Sequence, residues 1–309
     1  MISLINLRGI RSAVTPAVLM LCLGAGNAPA QNTTAPPVDA ERSKQEKIYQ
    51  ARGELRLEGY VIDRSMSAYV RALPAGFAQA LANLGPEERW LDIGAGQGMA
   101  ILDYYSPEYD PRQAGRRERQ IKKGRAVAMS IEDRRTPRWQ QTAETLEPKQ
   151  LQYVFGKPLR EYSTEELGHF QLITDVIGGF SYTENLSLFM EKVLSLLTVN
   201  GTFYTVSQDV RNEAGSNKPH YAGEPFLSQI RNATGNDIGI CAWLKQISCV
   251  EVSCDYKGDW IPPLETYRIR KTCNNVAVPP LKIEHYVAGT PPERVFLLAN
   301  PAPAPVAKP

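Results

Sequence analysis

Asp92, Gly94, Gly96 and Gly98 occupy alternate positions in the run Trp90-Leu91-Asp92-Ile93-Gly94-Ala95-Gly96-Gln97-Gly98-Met99. Apolar residues lead into an acid and three glycines follow, the pattern of a buried strand, a tight turn and a helix start. Such a turn lets a ligand approach the backbone with no Cβ in the way, and the helix start offers free N–H groups. Glycine spacing discriminates between nucleotide ligands. A dinucleotide turn wants glycine at the first, third and sixth positions, so that a pyrophosphate rests on the helix start. The sixth position from Gly94 is Met99, and the third glycine, Gly98, comes one place early. Asp92 would also set a carboxylate against the pyrophosphate.

Further acids fall at strand ends. Arg125 to Ile131 reads as the second strand and runs into Glu132-Asp133. A carboxylate there accepts from both hydroxyls of a ribose; Glu132 is the first candidate and Asp133 the second, against a charged strand end in solvent. Asp175 stands near the end of a fourth strand, Phe170 to Val176, and Gly178-Gly179-Phe180-Ser181-Tyr182 follows. His220 lies in a polar stretch, Asn212 to Asn236, read as a loop, and is the best placed of three histidines to act as a base. A base is needed only where a nucleophile must lose a proton, and the competing reading of His220 is a surface histidine. No Gly-x-Ser-x-Gly elbow appears, so Ser-His-Asp hydrolysis has no support.

The Asp92-x-Gly94-x-Gly96-x-Gly98 run resembles the first motif of class I S-adenosylmethionine (SAM)-dependent methyltransferases. Phe170 to Val206 resembles that family's fourth strand, its helix and a Leu196-Leu197…Asn200-Gly201 lead into a fifth strand, Thr202 to Val206. The resemblance implies SAM as cofactor. Asp92, Gly94, Gly96 and Gly98 would serve its methionine part, Glu132 its ribose, and Asp175 the transfer site. It also implies a lid from the preceding helices, with Tyr60, Asp63 and Arg64 as its candidates; plain packing of those helices on the sheet is the alternative. The sequence departs from the family where Gly156-Lys157-Pro158 follows the third strand, Leu151 to Phe155, in place of an acid near the adenine amino group. Asp175-Val176-Ile177-Gly178 is no Asn/Asp-Pro-Pro-Tyr, which argues against methylation of adenine or glutamine amino groups. The implied function is methyl transfer to a small molecule or protein group. The alternative is an exported, non-catalytic binding module that keeps the fold.

These residues need a scaffold that brings strand ends together. Alternating strand and helix at this spacing predicts an α/β, Rossmann-like, doubly wound and mostly parallel sheet. Ahead of it, Tyr60 to Leu73 and Ala75 to Leu84 read as amphipathic helices, with Val70, Leu73, Phe77, Leu81 and Leu84 at helical spacing. Near the C-terminus, Cys249 to Cys254 and Leu264 to Arg270 alternate as an antiparallel strand pair, and Arg294 to Leu298 reads as a final strand.

The 309 residues carry a formal net charge of +2. Residues 1–30 pair Arg8 and Arg11 with an apolar centre and a small-residue Ala28-Pro29-Ala30 end, the pattern of a secretory signal peptide. Residues 31–45 read as a linker, 46–299 as the folded domain and 300–309 as a Pro/Ala tail. Past the signal, 33 basic side chains balance 33 acidic ones, so neither nucleic acid nor a membrane surface is an expected partner. The basic run from Arg112 to Arg125 reads as a solvated loop. Cys241, Cys249, Cys254 and Cys273 follow no metal-ligand spacing and, after a signal peptide, read as two disulfides. Three connectivities are open. A hairpin pairing would bring Cys249 to Cys273 and leave Cys241 for Cys254.

Overall fold

The computed structural model describes residues 63–106, 123–207, 228–258, 264–287 and 293–299. All fall within the unit Pro36–Pro309. The signal peptide, the linker, the tail, Tyr60, His220 and Arg112 to Lys122 lie outside them.

The first described elements are two short helices. In α1 (Met66–Ala72) the Ser65 hydroxyl caps the first turn by accepting from the Ala68 amide, and Pro74 follows its end. The second, α2 (Phe77–Ala82), buries Phe77 and Leu81. The chain then alternates: β1 (Arg89–Ile93), α3 (Met99–Tyr105), β2 (Arg125–Met129), α4 (Pro137–Glu144), β3 (Leu151–Val154), α5 (Thr164–Leu167), β4 (Phe170–Val176), α6 (Gly179–Tyr182), α7 (Leu186–Leu196) and β5 (Leu197–Ser207). Beyond it lie β6 (Ser228–Arg231), α8 (Gly239–Leu244), β7 (Val250–Lys257), β8 (Leu264–Lys271), β9 (Leu281–Val287) and β10 (Glu293–Leu298).

Seven strands form one sheet in the order β3-β2-β1-β4-β5-β8-β7. The first five are parallel, and β8 runs antiparallel to both β5 and β7. This is the doubly wound, mostly parallel sheet with a C-terminal antiparallel pair that the sequence predicts. Both faces are buried, which accounts for near-continuous apolar strands such as Phe170 to Val176. Trp90, Ala126, Leu172 and Tyr204 pack beneath α1, α2, α3 and α4; Leu91, Val127, Ile173 and Phe203 pack beneath α7 and α8.

One expectation is corrected: the segment read as a loop to Asn236 contains β6. The final strand, β10, is present and lies outside the main sheet. It pairs parallel to β6 and antiparallel to β9 in a separate three-stranded sheet. The reason is burial: Ile230 of β6 and Phe296 of β10 enter the apolar core that contains α7 and α8. Arg294, itself buried, fastens this sheet by donating to the Phe180 and Thr183 carbonyls, at 2.9 and 3.0 Å, and to the Ser228 hydroxyl.

Two disulfides are present. Cys241–Cys254 ties α8 to β7, and Cys249–Cys273 joins the chain just before β7 to that just after β8. The β7–β8 register, Val250 opposite Lys271, brings the second pair together. No helix among the described residues is long and apolar enough to cross a membrane, and no cluster of His, Cys, Asp or Glu among them suits a metal ion.

Candidate ligand rim at the glycine turn

In the sheet β1 stands between β2 and β4, where the strand order reverses. In open α/β sheets, ligands bind beyond the carboxyl ends of the strands at that point. The turn leaving β1 is built on left-handed backbone: Gly94, Gly96 and Gly98 have φ of 72°, 57° and 73°. Side chains rarely adopt such values. Space demands glycine as well. A Cβ on Gly94 would stand 3.3 Å from the Gly178 Cα, and one on Gly98 would run into the Trp139 ring. The Trp139 ring meets Tyr153 edge to face at 5.2 Å, and the Tyr153 hydroxyl donates to the Gly96 carbonyl at 2.5 Å. The Ala95 amide donates to the Met129 carbonyl at 2.9 Å. Side chains from α4 and β3 and the backbone of β2 thus hold the turn.

Asp92 is fully buried beneath it. Its carboxylate accepts from the Tyr69 hydroxyl, 3.1 and 2.9 Å to its two oxygens, and from the Thr174 hydroxyl at 2.7 Å. Thr174 in turn accepts from the Trp90 indole at 2.7 Å. Loss of water pushes the Asp92 carboxyl up to about 7, against the pull of those two hydroxyls. Asp92 therefore supports the rim from below.

Asp175 is also fully buried. One oxygen accepts from the Gly178 amide at 2.7 Å and the other from the Phe180 amide at 3.0 Å. Burial lifts it to about 7, the turn amides opposing. The carboxylate is folded into the turn after β4, whereas the sequence suggested a group facing the reacting centre. What it positions is Gly178, which abuts Gly94.

Glu132 and Asp133 follow β2 on the same rim. Asp133 is exposed and engaged by Arg135, whose guanidinium donates to its two oxygens at 2.9 and 2.7 Å; these bonds lower its carboxyl from the ordinary value. Glu132 is half-buried, with its carbonyl 3.4 Å from the Tyr153 hydroxyl. The rim therefore gathers Asp92, Glu132, Asp133 and Asp175 onto neighbouring strand ends. His220 lies outside the described residues.

The helix that leads in closes the rim from the other side. An oxygen of Asp63 accepts from the Gln97 amide, inside the glycine turn, at 2.7 Å. The next residue, Arg64, donates to the Val176 carbonyl at the end of β4, at 3.5 Å. Two adjacent side chains thus bridge the ends of β1 and β4. Behind them, α1 is anchored by Tyr69 on Asp92 and by the Met66 amide on the Asp103 carboxylate at 3.0 Å. Sequence reasoning singled out Asp63 and Arg64 but missed Tyr69, Thr174, Trp139 and Tyr153. A signal existed for Tyr69: with Met66 and Leu73 it forms one apolar helical face, and a buried tyrosine needs a partner for its hydroxyl.

The turn is suited to an amino-acid-bearing nucleoside in one observable respect: it already binds a carboxylate through a backbone amide, that of Asp63 on Gln97.

No family model matches the chain, and no curated protein matches it. Solved structures similar to it include the N-methyltransferase NodS from Bradyrhizobium japonicum WM9 in complex with S-adenosyl-L-homocysteine (SAH), at 14% identity and a TM-score of 0.42, over 74% of this chain and 98% of that one. An rRNA methylase from Streptococcus thermophilus is 10% identical with a TM-score of 0.38, over 63% and 94%. The class of this chain is set by its own strand order and glycine turn: a doubly wound, Rossmann-like α/β protein whose rim stands at the reversal point of the sheet. Within that class it is similar, in the Asp92 to Gly98 motif and in the antiparallel pair that ends the sheet, to class I methyltransferases.

Proposed function

We propose that this chain binds SAM along the carboxyl rim and directs its methyl group to a small molecule or a protein group. The observation that carries the reading is the glycine turn at the sheet's reversal point, glycine at three left-handed positions and already gripping a carboxylate. Bound SAM would supply a sulfonium methyl group open to displacement by an acceptor's lone pair. The chain's part is alignment, which by itself can lower a barrier by several kcal/mol. Gly94, Gly96 and Gly98 would hold the methionine part, with Asp92 fixing the turn through Tyr69 and Thr174. Glu132 would accept from the ribose hydroxyls, with Asp133 second. Asp175 would set Gly178 beside the transfer site. A base such as His220 is required only for an acceptor that must lose a proton.

Export through the N-terminal signal is a separate part of the proposal, supported by two disulfides, which suit an oxidising compartment; it stands against catalysis, since SAM is made in the cytosol. The second reading, an exported binding module without catalysis, is favoured by one observation: Asp175 spends both carboxylate oxygens on its own turn.

Calorimetric titration of SAM and SAH into the oxidised chain, beside Glu132→Ala, tests the proposal. Micromolar binding to the parent, weakened about tenfold or more in the variant (a loss of roughly 1.4 kcal/mol), is expected. A folded chain that ignores millimolar ligand would rule out the cofactor. Binding with no methyl transfer to any acceptor would leave the module.

A further inference from the structure

The Gln97 amide has one proton, and Asp63 holds it at 2.7 Å. We propose that Asp63 is a built-in competitor, a side chain that occupies the turn's carboxylate position until the amino-acid end of the cofactor displaces it; this rests on the SAM-site reading above. The geometry supports competition over cooperation. An N–H that donates at 2.7 Å to one carboxylate is not available to a second, and two carboxylates at one amide repel. Two neighbouring amides are already engaged: Ala95 donates to the Met129 carbonyl and Gly98 to the Ala95 carbonyl. Asp63 can leave without unravelling α1, because that helix is secured separately by its Ser65 cap, by the Met66 amide on Asp103 and by Tyr69 on Asp92. Ligand binding would thus release the Asp63 arm of the bridge between the ends of β1 and β4.

Competition makes affinity depend on the ligand's amino-acid end. Titrating SAH and 5′-methylthioadenosine, which lacks that end, into the full oxidised chain and its Asp63→Asn and Asp63→Ala variants separates the cases. Asp63→Ala is expected to bind SAH about tenfold more tightly than the parent, and Asp63→Asn to fall between, with methylthioadenosine affinity unchanged in all three. In NMR spectra of the free parent, the Gln97 amide resonance should move on Asp63→Ala substitution and move again when SAH is added. Equal or weaker SAH binding in Asp63→Ala overturns the competitor, and weaker binding confined to SAH would mean that Asp63 instead receives the ligand's ammonium. If neither ligand binds the parent or either variant, the SAM reading and the competitor fall together. If ligands bind and Asp63→Ala brings no gain, only the competitor falls.

Discussion

The Tyr69 hydroxyl on α1 reaches across to both carboxylate oxygens of Asp92 on β1, at 3.1 and 2.9 Å, with neither residue open to solvent. This one contact joins the lead-in helix to the strand that carries the glycine turn. Tyr69→Phe keeps the ring and deletes the donor, leaving Thr174 as the carboxylate's remaining side-chain hydroxyl. A loss of about 1.5–3 kcal/mol in urea unfolding is expected, the cost of removing a hydrogen bond to a buried charged group. An unchanged midpoint would show that the contact contributes nothing net.

Stability should fall as pH rises through the weakly acidic range. The folded Asp92 carboxyl is raised to about 7 by burial, while in the unfolded chain it titrates near the ordinary carboxylate value of about 3.9. Between these values the folded state holds the extra proton, so stability is greatest below the lower one and declines until the upper one is passed. The slope from one such group is at most about 1.4 kcal/mol per pH unit. Asp92→Asn, which cannot ionise, should flatten the profile of unfolding free energy between pH 5 and 7. An identical slope in the variant would exclude Asp92 as the source; Asp175, raised for the same reason, would then be next to test.

Gly98 and Gly235 form a controlled pair. Both have positive φ, 73° and 81°, but a Cβ on Gly235 meets nothing within 4 Å while one on Gly98 strikes Trp139. Gly235→Ala should cost about 1 kcal/mol of backbone strain. Gly98→Ala should cost more, by about 1–3 kcal/mol for overpacking, and should also weaken any ligand bound at the turn. Equal losses by thermal unfolding would remove the steric part of the account.

The disulfides act at the β8–β7 edge of the sheet, away from β1 and the glycine turn. Replacing Cys241 and Cys254 by serine should cost about 3 kcal/mol for a loop of 13 residues. Replacing Cys249 and Cys273, which close 24, should cost about 0.5 kcal/mol more on the chain-entropy account. Peptide mapping without reduction should recover these two pairs and no other. Ligand affinity should be unchanged in both double variants, because β8 and β7 lie beyond β5, away from β1.

By itself the sequence determined the sheet's five-strand parallel heart, the glycine turn and the antiparallel pair, because each is written in local terms. Strand and helix periods alternate from Trp90 to Val206, and the Cys249 and Leu264 strands alternate in polarity. Glycine at 94, 96 and 98 announces a left-handed turn before any fold is known. The disulfide pairing is open among three connectivities in sequence, and the β7–β8 register of the folded chain selects Cys249 with Cys273.

Only the tertiary structure decided what the rim acids do. Asp92 and Asp175 look alike in sequence, each at the end of an apolar strand, and both were read as ligand-facing. Their roles depend on which donors come near: a tyrosine 23 residues away and a threonine 82 residues away for Asp92, and the amides of a tight turn for Asp175. Nothing in a strand's own pattern specifies such partners. The same holds for β10, whose period marks it as a strand but not which sheet it joins; burial of Phe296 and the Arg294 bonds made that choice. Asp63 is the sharpest case, because its carboxylate meets the Gln97 amide only after the chain has folded α1 back over the glycine turn.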